Sequence, residues 1–271
     1  MKDSTADAGA TYFEDDRRFA EYAAHRHRAD SPNETLERPI FVEMVGNVAG
    51  LDILDLGCGD GLYGLDMLAV GCNSYTGLES AQSMVDVASQ NFQDRPAEII
   101  GSKIEDWPFP SERFDLVVSR LALHYIADLA ATFDNVYRTL KPGGRFVFSV
   151  VHPVITSSDK SRGGGGKRLD WIVDDYFVPG PRSVYFMGDQ VEQIHRTIED
   201  FLARCNRPAL WCNSCVNLVH AQKNLRMRRS MHGGSAFRFF CFWLVKKLGN
   251  RSSSFGFDTA AKAAAYATGG G

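Results

Sequence analysis

The stretch Leu51-Asp52-Ile53-Leu54-Asp55-Leu56-Gly57-Cys58-Gly59-Asp60-Gly61 decides the fold. Leu51, Ile53, Leu54 and Leu56 read as a short apolar strand that runs straight into a loop with glycine at alternate positions. Residues 62–70 then read as a helix. Strand, glycine loop and helix in that order put the loop at the carboxyl end of a strand, where open parallel sheets bind ligands. Glycine lets the backbone turn sharply and come close to a ligand with no Cβ in the way. The first turn of the helix adds unpaired N–H groups and a positive dipole end, worth about 0.3–1 kcal/mol to a nearby anion.

The same alternation continues outward. Ser74–Glu79 predicts a second strand, residues 81–93 a helix, and Ala97–Ile100 a third strand. Phe114–Ser119 predicts a fourth strand, set off by Pro108, Pro110 and Ser111. Residues 126–140 predict a helix closed by Lys141-Pro142-Gly143-Gly144, and Arg145–Val151 a fifth strand. Strands and helices alternating at this spacing indicate βαβ units around a doubly wound, mostly parallel α/β sheet. Upstream, residues 13–28 and 33–46 suit two helices parted by Ser31-Pro32-Asn33, so residues 1–45 are expected to form a helical cap. Downstream the rhythm changes. Gly163–Gly166 read as a flexible loop, residues 189–204 as a helix, and Ala236–Val245 as a strand. Residues 205–235 show no strand alternation, and the Ala- and Gly-rich residues 251–271 suit a disordered tail.

Among 271 residues, 44% are hydrophobic and 23% charged, which is ordinary for a globular chain. A formal net charge of −3 weighs against a nucleic-acid partner, because such binders carry a basic face. The first residues lack the apolar core of a signal peptide, and no run of 18 apolar residues suggests a membrane span. A cytoplasmic chain with reduced thiols is therefore expected for the six cysteines. Cys212 and Cys215, with Cys205 and His220, supply one C-x-x-C pair but no second pair of the kind structural zinc needs, so no metal is expected.

The acidic Glu79 ends the second strand, where a carboxylate can take both hydroxyls of a ribose. Gly57, Gly59 and Gly61 alternate, unlike the dinucleotide fingerprint G-x-G-x-x-G. An NAD-type oxidoreductase shares the glycine loop and the ribose-binding acid, and stays open as an alternative. So does a cofactor-binding protein made inactive by an aberrant segment at 205–235.

The segment ILDLGCGDG, residues 53–61, resembles motif I of the class I S-adenosylmethionine-dependent methyltransferases. YTGLE (75–79) resembles their acidic second motif, FDLVVSRLALHY (114–125) their fourth-strand segment and LKPGGRFVFSVVHP (140–153) their fifth. SVVHP, together with DDYF (174–177) and HRTIEDFL (195–202), is similar to bacterial small-molecule members of that superfamily. The resemblance implies a seven-stranded Rossmann-like sheet over residues 46–250, with a substrate-side insertion at 155–190.

It also implies S-adenosyl-L-methionine as cofactor and a small-molecule methyl acceptor. Gly57, Cys58 and Gly59 would line the methionine part through backbone groups, with Asp55 near its amino group. Glu79 would hold the ribose with Ser80 beside it, Ile104 and Glu105 would flank the adenine, and Ser119 and Arg120 would cover the sulfonium. Tyr22 would close over the cofactor carboxylate. Lys103 stands where many relatives have an acid, which leaves the adenine amine without that partner. His124 and His152 follow the fourth and fifth strands and are the candidate general bases, because imidazole titrates near neutral pH. The rim reads Ser119-Arg120-Leu121-Ala122, not the Asn/Asp-Pro-Pro-Tyr of amino-directed enzymes, and there is no Pro-Cys nucleophile.

Overall fold

The computed structural model describes residues 28–158, 160, 172–186, 189–205, 210–217 and 240–247. A π-helical turn, Asn33–Glu37, leads into α1 (Arg38–Val45), then β1 (Asp52–Leu56), α2 (Leu62–Ala69), β2 (Ser74–Glu79), α3 (Gln82–Asn91) and β3 (Ala97–Gly101). Next come β4 (Phe114–Arg120), a 3-10 turn at Leu123–Tyr125, α4 (Leu129–Thr139), β5 (Leu140–Val151) and the short α5 (Pro153–Thr156). The hairpin β6 (Gly180–Phe186) and β7 (Asp189–His195) precedes α6 (Ile198–Cys205), β8 (Leu210–Asn217) and β9 (Phe240–Lys247).

One sheet takes the order β3-β2-β1-β4-β5-β9-β8. The pairings from β3 across to β5 are parallel, whereas β9 runs antiparallel to both β5 and β8. The mostly parallel α/β sheet expected from the sequence is present. The chain leaves β1 for β2 on one side and returns to β4 on the other, so the order reverses at the carboxyl end of β1. The glycine loop begins there.

The central strands are apolar on both faces, as a sheet covered by helices on each side requires. Leu54, Leu56, Val117, Phe146, Phe148 and Trp243 meet α4 and α6 on one face. Ile53, Leu116, Val118, Val147 and Phe242 meet α1 and α2 on the other. Phe148 pairs across the ladder with Trp243, and their rings stack at 4.8 Å. Phe133 packs edge-on to Phe148 at 5.4 Å, and Phe201 lies 4.9 Å from Trp243. At the amino end of the sheet, Lys141 Nζ donates to Asp52 and Asp115, each at 2.8 Å. This lysine, with Ser74 behind it, holds the Asp52 carboxyl well below its usual range.

Three expectations are corrected. Residues 189–195 form a strand, and helix begins only at Ile198. The strand hides in the sequence because its buried positions, Val191, Gln193 and His195, are mostly polar. Residues 210–217 pair with β9 in a stretch expected to hold no strand; the register slips between Cys212 and Ser214, which breaks the alternation. β5 begins at Leu140 rather than Arg145, and the shift between Phe114 and Leu116 absorbs Lys141–Gly144. The expected first helix, the Gly163–Gly166 loop and the 251–271 tail lie outside the described residues, as do His220 and the side chains of Cys212 and Cys215.

Phe148 has no exposed surface. A Phe148→Ala variant is expected to lose about 3–5 kcal/mol of stability in urea unfolding. Val70→Ala, at a position 62% exposed, should stay within about 0.5 kcal/mol of the parent.

Candidate active site

The loop after β1 is tied to the end of β2 by its own backbone. Gly57 and Cys58 both donate their N–H to the Leu78 carbonyl at 2.9 Å. The Gly59 N–H donates to Glu79 Oε2 at 2.9 Å, and Oε1 of the same carboxylate accepts from Ser80 N at 2.9 Å and Ala81 N at 3.0 Å. Glu79 is thus fixed by three N–H groups at the sheet edge while half-exposed. Gly57 sits at φ +77°, and a Cβ there would lie 2.5 Å from the Ala122 Cβ in the turn after β4. Only glycine lets the β1 and β4 rims close this tightly.

Cys58 is buried, with its thiol pushed up by burial and by nearby Asp55. Its side chain packs where a Cβ on Gly77 would stand, 2.8 Å from Sγ, so only its backbone is available to a ligand. Asp55 is buried and accepts from the Tyr75 hydroxyl at 2.8 Å. Ile104 belongs to the α4-side core, whereas Glu105 is exposed and accepts from Ala127 N at 3.4 Å. Tyr22 lies outside the described residues.

Ser119 and Arg120 diverge, because neighbours on a strand face opposite sides of a sheet. The Ser119 hydroxyl donates to the Leu56 carbonyl at 2.8 Å. Arg120 turns the other way into a buried pair with Glu37, Nε to Oε2 at 3.1 Å, and its guanidinium lies 4.8 Å over the Tyr63 ring. Ser149 donates to the same Glu37 carboxylate at 2.7 Å. Glu37 and Ser149 were not identified from the sequence; Glu37 reads there as one more acid on a mixed helix. Leu121, next along, has φ +56°, a left-handed conformation costly for a large side chain and commonest at functional rims.

The two histidines lie in different settings. His124 is buried, and Nδ1 has no hydrogen-bond partner among the described residues. Burial, with the Arg196 charge nearby, pushes its pKa down to about 3, so it is neutral at physiological pH. His152 accepts the Val154 N–H on Nδ1 at 3.1 Å and so caps α5.

The β6–β7 hairpin brings up groups that sequence reading passed over. Arg196 is buried and donates to the Ala127 carbonyl at 2.8 Å as well as to Ile126, clamping the loop that carries His124. Burial lowers its pKa to about 10. Gln193 donates to the Tyr125 hydroxyl at 3.3 Å. His195 is buried between Thr156 and the Tyr176 carbonyl, each at 2.8 Å. A basic residue following a histidine, His195-Arg196, is the one signal that could have marked this clamp. No cluster of three or more His, Cys, Asp or Glu suited to a metal occurs among the described residues.

A pinned carboxylate beside a loop with glycine at alternate positions, at the switch point, suits a ribose-bearing cofactor, and the glycine spacing separates it from the dinucleotide type. Residues 54–148 match the family model described as a methyltransferase domain. An S-adenosylmethionine-dependent methyltransferase from Mesorhizobium loti superposes with a TM-score of 0.66 at 28% identity, over 80% of this chain and 99% of that one. An uncharacterized Haemophilus influenzae protein is 24% identical over 68% of this chain and 77% of its own length. A ubiquinone biosynthesis O-methyltransferase of Methylobacterium is 28% identical over 46% of this chain; the match spans 51% of that enzyme. The methyltransferase domain at residues 54–148 and the Mesorhizobium loti likeness agree with the loop geometry on S-adenosyl-L-methionine as the cofactor, and the chain is similar to the class I S-adenosylmethionine-dependent methyltransferases.

Proposed function

We propose that the chain moves a methyl group from S-adenosylmethionine to a small-molecule acceptor. The observation that carries this reading is the Glu79 carboxylate, fixed against the glycine loop by the N–H groups of Gly59, Ser80 and Ala81. Ser80 and Ala81 occupy Oε1 and Gly59 takes one position on Oε2, so a ribose would engage the carboxylate at Oε2 or by displacing a backbone donor. The N–H groups of Gly57 and Cys58 are already spent on Leu78, so the loop meets the methionine ammonium with carbonyl oxygens. Asp55 lies buried beneath, and its negative charge favours that ammonium. Ile104 and Glu105 border the adenine side, and Ser80 stands next to the ribose acid. Ser119 closes the loop from behind by holding the Leu56 carbonyl. Tyr22 over the cofactor carboxylate belongs to the same proposal.

When bound, S-adenosylmethionine supplies a methyl group already activated by its sulfonium and open to in-line displacement. The chain's own contribution is alignment, which supplies about 7–11 kcal/mol of barrier reduction in favourable cases. Arg120 serves this indirectly: its buried pair with Glu37 fastens the β4 rim to the N-terminal helix. His124, kept neutral by burial, and His152 line the acceptor side, where they orient and desolvate the acceptor. The net charge of −3 and the Methylobacterium enzyme's name both support a small acceptor over a nucleic acid.

Removing the Glu79 carboxylate deletes charge-assisted hydrogen bonds of about 1.5–3 kcal/mol. A Glu79→Ala variant should therefore bind S-adenosylhomocysteine about 10- to 100-fold more weakly in isothermal titration. Unchanged affinity would contradict the ribose assignment, and tight binding of NAD in place of S-adenosylhomocysteine would contradict the cofactor. Incubation with labelled S-adenosylmethionine and a metabolite extract should label small molecules. Label confined to macromolecules would exclude the proposed acceptor class.

His124 gives a pH dependence with a defined sign. The unfolded chain takes up its proton near 6.5, but the folded chain does so only near 3. Stability is therefore lost as pH falls through 6.5 and keeps falling toward 3, with up to about 2 kcal/mol gone at pH 5. Urea unfolding at pH 7 and pH 5 should show a His124→Gln variant losing about 2 kcal/mol less than the parent. Equal losses would mean that His124 is protonated in the folded chain.

A further inference from the structure

Val154, Val173, Asp175, Tyr176, Phe177 and Val178 line an open cleft of about 520 Å³. Val154 lies in α5, just past the end of β5, so the cleft opens at the carboxyl edge of the sheet. β4 alone separates β5 from β1, and two strand spacings amount to roughly 10 Å. The cleft and the glycine loop therefore open at the same edge of the sheet.

Its walls are apolar and held in place. The Tyr176 carbonyl accepts from His195 Nε2 at 2.8 Å, and the Tyr176 hydroxyl accepts from Ile198 N at 3.2 Å. Arg182 donates to the carbonyls of Asp175 and Val178, which fixes the turn between them. Phe177 packs edge-on to Tyr176 at 5.1 Å yet is 81% exposed, and Val178 is 56% exposed. The volume falls within the 300–1,000 Å³ typical of small-ligand sites. A protein partner would need roughly 800 Å² of its own surface buried. Among the described residues of the lining, the charged side chain is Asp175, a carboxylate that disfavours an anionic ligand.

From this placement we infer that the cleft is the acceptor subsite and holds an aromatic or short alkyl frame without negative charge. The inference rests on the proposed methyl transfer to a small molecule and narrows the acceptor class.

The test uses the full chain loaded with S-adenosylhomocysteine, with 1-naphthol as a neutral probe and 1-naphthoate as its anionic counterpart. A fluorescence titration with 1-naphthol should saturate. Phe177→Ser and Val178→Asp, both at exposed positions, should each weaken it about tenfold while leaving S-adenosylhomocysteine affinity unchanged. The naphthoate should bind at least tenfold more weakly than the naphthol. Asp175→Asn should narrow that gap, since asparagine tolerates the φ of +63° found there. Titration without saturation, or equal naphthol affinity in both cleft variants, would overturn the assignment. A gap unchanged by Asp175→Asn would overturn its charge preference. A parent chain that fails to bind S-adenosylhomocysteine would instead overturn the cofactor reading, which the naphthol titration does not measure.

Discussion

The structure depends on how closely two loops approach one another. At the carboxyl end of β1 the backbone turns with Gly57 at φ +77°, and Ala122 from the β4 rim occupies the space a side chain would need. That contact exists because β1 lies between β2 and β4 in a parallel sheet whose order reverses there. The Leu78 carbonyl then takes two loop N–H groups, and Glu79 takes a third. Strand order, glycine placement and an acid at the end of β2 thus form one mechanical unit. The Glu79 carboxylate is oriented by backbone N–H groups, which limits the ordering cost of any ligand it takes.

The strands from β1 to β5, apart from the start of β5, were legible in the sequence because their apolar stretches are punctuated by glycine or proline. The cofactor loop was legible for a related reason, since positive φ and close approach leave glycine as the tolerated residue. The hairpin was not legible. Gln193 and His195 occupy its buried positions, so a real period of two looked like a polar helix. β8 was hidden by the slip between Cys212 and Ser214. Glu37 and Arg196 were invisible for a different reason, because a buried charge is defined by partners far away in sequence. Arg120 sits 83 positions from Glu37, and Arg196 sits 69 from Ala127.

Charge is arranged differently at the two ends of the sheet. At the amino end, Lys141 bridges Asp52 and Asp115 in a clamp remote from the glycine loop's end of the sheet. At the carboxyl end, Glu37 and Arg120 form a buried pair that braces the β4 rim, and such pairs fix geometry more than they add stability. Of the two candidate bases, His124 is a buried ring whose pKa burial lowers, and His152 caps α5 through Nδ1.

The central claim is that Glu79 and the Gly57–Gly61 loop form the cofactor cradle. A crystal structure of the chain with S-adenosylhomocysteine tests it most directly. The account predicts both ribose hydroxyls within hydrogen-bond distance of the Glu79 carboxylate, with the amino acid end against the Gly57 and Gly59 carbonyls. A ligand bound elsewhere, or one that leaves Glu79 bonded only to Gly59, Ser80 and Ala81, would contradict it.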